Sequence, residues 1–169
     1  AMTAESHFHR VSEPARELLE EMRRWPIFDP HSHIDPHRPA ARDLDEVLGY
    51  HYYTELAHSS GMPAADVAAD LPPRARAENL ARRLSALDNT VQHSWLIEIA
   101  RTFHGFQGDR IGPREIGDLY DRALRGRDAD GAAWDEKVWE VTNLEAVFLT
   151  NEFDDPLEGW DVDRYIPCL

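Results

Sequence analysis

From Ser12 to Met22, the apolar residues Ala15, Leu18, Leu19 and Met22 recur at helical spacing. Ser12 can cap that helix, and Pro14 fits its first turn, where a missing N–H leaves nothing unpaired. Trp25-Pro26 ends it, because proline keeps the preceding residue out of helical geometry. A short extended segment, Ile27-Phe28-Asp29, then runs into Pro30-His31-Ser32-His33. The stretch from His37 to Asp43 is a loop rich in proline and charge. Asp43 can cap a short helix through Leu44, Val47 and Leu48 that closes at Gly49. A further helix over Tyr52 to Ser60 closes at Gly61.

From Pro73, the positions Ala77, Leu80, Leu84 and Leu87 describe an amphipathic helix. Trp95, Leu96, Ile99, Ala100 and Phe103 describe the inward face of another, broken by Gly105 and Gly108. Gly112-Pro113 starts a helix with Ile116, Leu119, Tyr120, Ala123 and Leu124 inward, and Arg125 to Gly131 is a charged linker. After a last helix over Asp135 to Val141 the pattern changes. Leu144 to Leu149 has the apolar run of a buried strand, and Arg164 to Leu169 begins another. Helices alternating with short strands predict an α/β fold. Three short strands cannot close a sheet, and their apolar edges need partners, so the layout is that of the front part of a larger α/β protein.

The chain has 169 residues, with 18 basic and 32 acidic side chains and a formal charge of −14. That sign repels nucleic-acid phosphates and anionic lipid headgroups, so neither is an expected partner. No apolar run approaches the roughly 20 residues that cross a bilayer, and the region of Glu5, His7, His9 and Arg10 lacks a signal peptide's apolar core. The single cysteine, Cys168, cannot form an internal disulfide, which fits a reducing compartment. The expectation is a cytoplasmic, acidic protein.

His31-Ser32-His33 is the first candidate for chemistry. On an extended backbone, residues two apart share a face, so both imidazoles can converge on one ion such as zinc. A pair of loop histidines that are simply solvated has the same spacing. His7-Phe8-His9 repeats it without a preceding strand and reads as accidental. His51, among Tyr50, Tyr52 and Tyr53, is either a hydrogen-bonding partner for a polyhydroxy substrate or the exposed start of a packed helix. His58, His93 and His104 each sit singly on helices and read as structural. Asp154-Asp155-Pro156 follows a strand, where barrel enzymes place carboxylates, but Asp-Pro is also a common turn.

In order along the chain, these segments resemble one family. Pro26-Ile27-Phe28-Asp29-Pro30-His31-Ser32-His33 resembles the first barrel strand of the uronate (glucuronate) isomerases, Pro-Ile-Phe-Asp-Tyr-His-Cys-His. Gly49-Tyr50-His51-Tyr52 is similar to the family's Gly-Asp-His-Tyr. Asn89 to Phe106, with His93 and Trp95, is similar to its Asn-Pro-Leu-Tyr-His-Trp helix. Leu144 to Pro156 resembles its second strand, which ends in Thr-Thr-Asp-Asp-Pro. No one of these motifs is specific; their order and spacing carry the resemblance.

The resemblance implies the amidohydrolase superfamily and a distorted (β/α)8 barrel with a metal at its C-terminal mouth. On that plan residues 1–25 are a helical extension, and 26–36 hold strand 1 and the metal loop. A helical insertion then spans 43–142, and 144–169 form strands 2 and 3. It implies His31 and His33 as ligands of a divalent metal, expected to be zinc, and His51 and Tyr52 as sugar-acid contacts. The reaction implied is aldose–ketose isomerisation of a hexuronate such as glucuronate to its 2-keto form, by an enzyme able to form a homo-oligomer. The catalytic residues are expected past Leu169, since such a barrel needs about 250 residues or more. The 169-residue segment alone is expected to be inactive.

This chain departs from the family at Tyr50, where an aspartate is usual, and at Glu55 and His58, in a segment that otherwise carries arginines. Those changes remove bidentate donors suited to a carboxylate. Two rival expectations are a metal-dependent hydrolase of the same superfamily and a non-catalytic, acidic helical interaction domain.

Overall fold

The computed structural model describes residues 12–152 and 154–168; His7-Phe8-His9 and Leu169 lie outside them. In chain order the helices and strands are α1 (Glu13–Met22), β1 (Ile27–Ser32), α2 (Leu44–Leu48), α3 (His51–Ser59), α4 (Pro73–Ala81), α5 (Val91–His104), α6 (Ile116–Asp130), α7 (Trp134–Thr142), β2 (Leu144–Leu149) and β3 (Tyr165–Ile166). The chain divides into two compact units, one of residues up to Ala40 and from Ala132 on, the other Ala41–Gly131.

The first unit is built on a three-stranded parallel sheet in the order β1-β2-β3. Parallel neighbours require a long crossover, and the whole of Ala41–Gly131 plus α7 lies between β1 and β2. On one face of β2, Val147 and Leu149 are buried with Trp139 of α7 and Tyr165 of β3. The Trp139 indole N–H donates to the Tyr165 hydroxyl at 3.0 Å, and the two rings meet edge to face at 5.3 Å. Arg164 lies over the Trp139 ring and pairs with Glu136 at 2.6 Å, which holds the Glu136 carboxyl below its usual range. Phe148 points the other way along β2 and is 43% exposed, as is Phe28 of β1 at 53%. β3 is shorter than the expected Arg164–Leu169, because Pro167 has no N–H to continue the ladder.

α1 forms where its apolar spacing predicts, yet no residue of it is buried, and Leu18 and Met22 are each 61% exposed. Its helix is local in origin, with Pro14 in the first turn.

Asn143 starts the sheet. It ends α7 in the left-handed region, φ 55°, and its carbonyl accepts the Ile27 N–H at 2.8 Å. Its side-chain amide donates to the Trp25 carbonyl at 2.7 Å, tying the entry of β1 to that of β2. Alanine there would have to hold left-handed geometry, at about 1 kcal/mol, and would lose an amide hydrogen bond worth about 1 kcal/mol. Asn143→Ala is therefore expected to lower stability by about 2 kcal/mol and Asn143→Gly by about half of that, as read from urea unfolding midpoints. Equal losses for the two would show that the backbone conformation carries no part of the cost.

The second unit packs α2 to α6 around Leu44, Leu48, Leu80, Leu84, Leu96, Ile116 and Leu119. Asp43 caps α2 as expected, its side chain accepting the Glu46 N–H at 3.0 Å. It also receives the Tyr120 hydroxyl at 3.3 Å, and burial together with Asp43 pushes that phenol up to about 12. The helix expected from Pro73 to Leu87 stops at Ala81. Leu84 and Leu87 reach the core instead through a single 3-10 turn, Leu84–Ala86.

Two further expectations are corrected. The inward face of α5 is His93, Leu96, Ile97 and Ala100, whereas Trp95 is 49% exposed. The helix is rotated so that its indole faces outward, and Thr90, capping it through the His93 N–H, fixes its start. The expected linker Arg125–Gly131 is helical to Asp130, and the chain turns only at Gly131, φ 54°. Arg125 and Asp128 are exposed on the helix surface and Arg127, half-buried, pairs with Asp128 at 3.0 Å, so a charged run there carries no break. Among the described residues no helix is long and apolar enough to cross a membrane.

Candidate metal site at the edge of the sheet

β1 is an edge strand, so Pro30 can sit within it without removing a ladder bond that the sheet needs. Between Asp29 and Ser32 β1 holds one residue more than β2 does between Val147 and Leu149. The resulting bulge spans Pro30 and His31, and a bulge re-aims the side chains next to it. Asp29 steadies it by accepting the His31 N–H at 3.1 Å. Ser32 is buried, while His31 and His33 on either side of it are exposed, as alternation along an extended chain requires. The two imidazole rings lie 5.0 Å apart between centroids, at 84° to one another.

β2 ends beside them. The Thr150 N–H donates to the Ser32 carbonyl at 3.0 Å, and the Thr150 hydroxyl lies 3.1 Å from that carbonyl and 2.7 Å from His33 Nδ1. Beyond the strand ends a cleft of about 290 Å³ is lined by His33, Asp35, Thr150, Asn151, Asp155 and Trp160. Asp155, from the Asp-Asp-Pro turn, accepts the Glu152 N–H at 3.0 Å and so shapes this loop. The Asn151 side chain accepts the Cys168 N–H at 2.7 Å, tying the end of β2 to the end of β3.

Two imidazoles at one strand end fit two positions of a zinc-type coordination sphere, whose catalytic form uses three protein ligands and one open position. Among the described residues no group of three or more His, Cys, Asp or Glu side chains is placed to hold a metal. By itself the pair offers two donors, fewer than such a centre uses.

His51 and Tyr52 belong to the other unit, at the start of α3. Both are exposed, their ring centroids 4.2 Å apart, with Tyr50 tilted against His51 at 4.5 Å and edge to face with Tyr52 at 5.1 Å. Tyr52 lines an apolar cleft of about 480 Å³ with Tyr50, Trp95, Glu46 and Glu98, and no Lys, Arg or His is among its described lining residues. Tyr53 turns inward, and burial pushes its phenol up to about 12. His58 is structural, its Nδ1 bonded to the Met62 carbonyl at 2.8 Å. His93 is buried in α5, and that burial pulls its imidazole below the usual histidine range.

No motif in the sequence marks Thr150. The signal available was positional: it is the first residue after an apolar strand that pairs in parallel with the strand bearing the histidines.

Fold and site together define an α/β protein with a small parallel sheet, a helical excursion between its first two strands, and a histidine pair at the sheet's C-terminal edge. This fold is similar to the crystal structure of glucuronate isomerase from Caulobacter crescentus, with a TM-score of 0.67 and 21% sequence identity. The match covers 79% of this chain and 30% of that one, so the chain spans less than a third of that protein's length. No protein-family model matches the chain, and no curated protein sequence matches it.

Proposed function

We propose that the chain is the front part of a uronate isomerase-like enzyme that interconverts a hexuronate, such as glucuronate, with its 2-keto isomer. The observation that carries this is the structural likeness to a glucuronate isomerase, joined to a histidine pair at the end of the first strand. On this reading the sheet belongs to a distorted (β/α)8 barrel, with His31 and His33 at its C-terminal mouth.

Isomerisation moves a proton between adjacent carbons while negative charge builds on the sugar's oxygens. His31 and His33 would hold a divalent ion of the kind that imidazole suits, such as zinc. When bound, such an ion supplies positive charge against the developing negative charge. His51 and Tyr52 would hydrogen-bond sugar hydroxyls, through an imidazole and a phenol that each donate and accept. Glu46 and Glu98 line the same cleft as Tyr52, and their charge disfavours an anionic carboxylate there. The group that transfers the proton, and the remaining metal ligand, are assigned to parts of the enzyme outside this chain.

The test is an assay of the full-length protein on glucuronate and galacturonate, following ketose formation by NMR, beside a panel of amides and lactones. Conversion of a hexuronate that stops on chelation supports the proposal. Turnover confined to the amides or lactones makes the protein a metal-dependent hydrolase. No turnover of either panel, with no metal bound, leaves the non-catalytic interaction domain.

A further inference from the structure

The Thr150 hydroxyl meets two partners at once. Ser32 O, 3.1 Å away, is a carbonyl and can only accept. His33 Nδ1, 2.7 Å away, can donate or accept according to its tautomer. A hydroxyl has one proton to give. If Thr150 gave it to Nδ1, its oxygen would face the Ser32 carbonyl as a second acceptor with no proton between them. If it gives the proton to Ser32, both contacts are hydrogen bonds, and Nδ1 must carry the proton that Thr150 accepts. A neutral imidazole has one N–H, so Nε2 is then left with its lone pair.

We propose that Thr150 is a positioning residue that fixes His33 as the Nδ1–H tautomer and so selects Nε2 as the nitrogen offered to a metal. This rests on the metal reading of His31 and His33 given above. The arrangement is held by the backbone, since the Thr150 N–H donates to the same Ser32 carbonyl at 3.0 Å. Parallel pairing of Ser32 with Leu149 brings the end of β2 against the histidine that follows β1. An outer partner of this kind sets ring orientation and tautomer before the ion arrives, and its loss costs about 10- to 100-fold in metal affinity.

Three proteins test this: the full-length protein, which carries the remaining metal ligand, and its Thr150→Val and Thr150→Ser variants. Valine keeps the shape and the backbone N–H but removes the hydroxyl, and Thr150 is exposed, so no core packing is lost. Serine restores the hydroxyl. The first readout is the tautomer of His33 in metal-free protein, from long-range proton–nitrogen NMR at about pH 8.5, where an ordinary imidazole is neutral. The His33 signal is assigned by its absence in His33→Ala. The second readout is zinc affinity by calorimetry.

The expected result is a single Nδ1–H form of His33 in the full-length protein and in Thr150→Ser. Thr150→Val should show a mixture or the Nε2–H form, with zinc affinity lower by about 10- to 100-fold. An Nε2–H tautomer in the unsubstituted protein overturns the proposal. So does zinc bound equally by the full-length protein and Thr150→Val, and that outcome leaves the metal reading standing. Absence of zinc binding by all three proteins overturns both together, even where the tautomer is as expected.

Discussion

Arg76→Met is expected to lower the stability of the whole chain by about 3 kcal/mol, at the low end of the range for breaking a buried ion pair. Arg76 of α4 reaches Asp45 of α2, its Nε donating to both carboxylate oxygens at 3.1 Å and its Nη2 to Oδ2 as well. Its Nη1 donates to the Leu71 carbonyl at 2.7 Å, which closes the turn before α4. These bonds, with the charges of Asp45 and Asp43, hold the guanidinium above even its usual range. Asp45 is only 8% exposed, so removing the arginine strands a carboxylate that water cannot reach well. The low end applies because the Arg76 side chain keeps 22% of its surface in contact with solvent.

The stranding argument separates this cost from simple loss of attraction. Asp45→Leu combined with Arg76→Met removes both charges, and the pair is then expected to recover most of the loss, since apolar replacements of buried pairs are often neutral. Urea unfolding of the two single variants and the double variant supplies the cycle. A double variant as unstable as Arg76→Met alone would mean that the lost Leu71 contact and packing, and not the buried charge, carry the effect.

Features set by a few neighbouring residues were legible in the sequence. Asp43 caps α2, Gly105 ends α5 in the left-handed region at φ 63°, and Leu144–Leu149 is a strand, because capping, glycine geometry and apolar runs each act within one turn or one strand. Polarity reports what surrounds a side chain and does not by itself decide the backbone's path. Arg125 and Asp128 face water, and the run from Arg125 to Asp130 stays helical until Gly131 permits the turn. Trp95 faces outward because helix rotation is decided by what the unit as a whole buries, and His93 and Ile97 are buried in its place.

The candidate site divides along the same line. The same-side placement of His31 and His33 follows from spacing two apart, and the ring separation of 5.0 Å agrees with it. The bulge at Pro30 and His31 depends on register against β2, a strand more than a hundred residues later, and no local pattern encodes it. Thr150 is invisible for the same reason, since its role exists only once β1 and β2 pair. His51 and Tyr52 were legible as a ring cluster. The carboxylates of Glu46 and Glu98 that share the cleft with Tyr52 come from α2 and α5, and their company is a product of packing.

Replacing both His31 and His33 by alanine is expected to weaken binding of zinc by more than about 100-fold, beyond the ten- to hundredfold that an outer partner costs. The reason is chemical: a divalent ion exchanges water for imidazole nitrogen where several lone pairs are offered together, and these two rings, 5.0 Å apart between centroids, are the pair proposed to offer them. Stability should hardly move, because both side chains are exposed and the strand's ladder uses the backbone alone. Calorimetric titration with zinc, beside urea unfolding of the same samples, reads both effects. His58→Ala is the control, since that imidazole is engaged by the Met62 carbonyl and lies in the other unit. Affinity retained by the double variant would show that the metal sits elsewhere. Affinity lost equally in His58→Ala would show binding spread over surface histidines, and the strand-end pair would then have no claim to be the site.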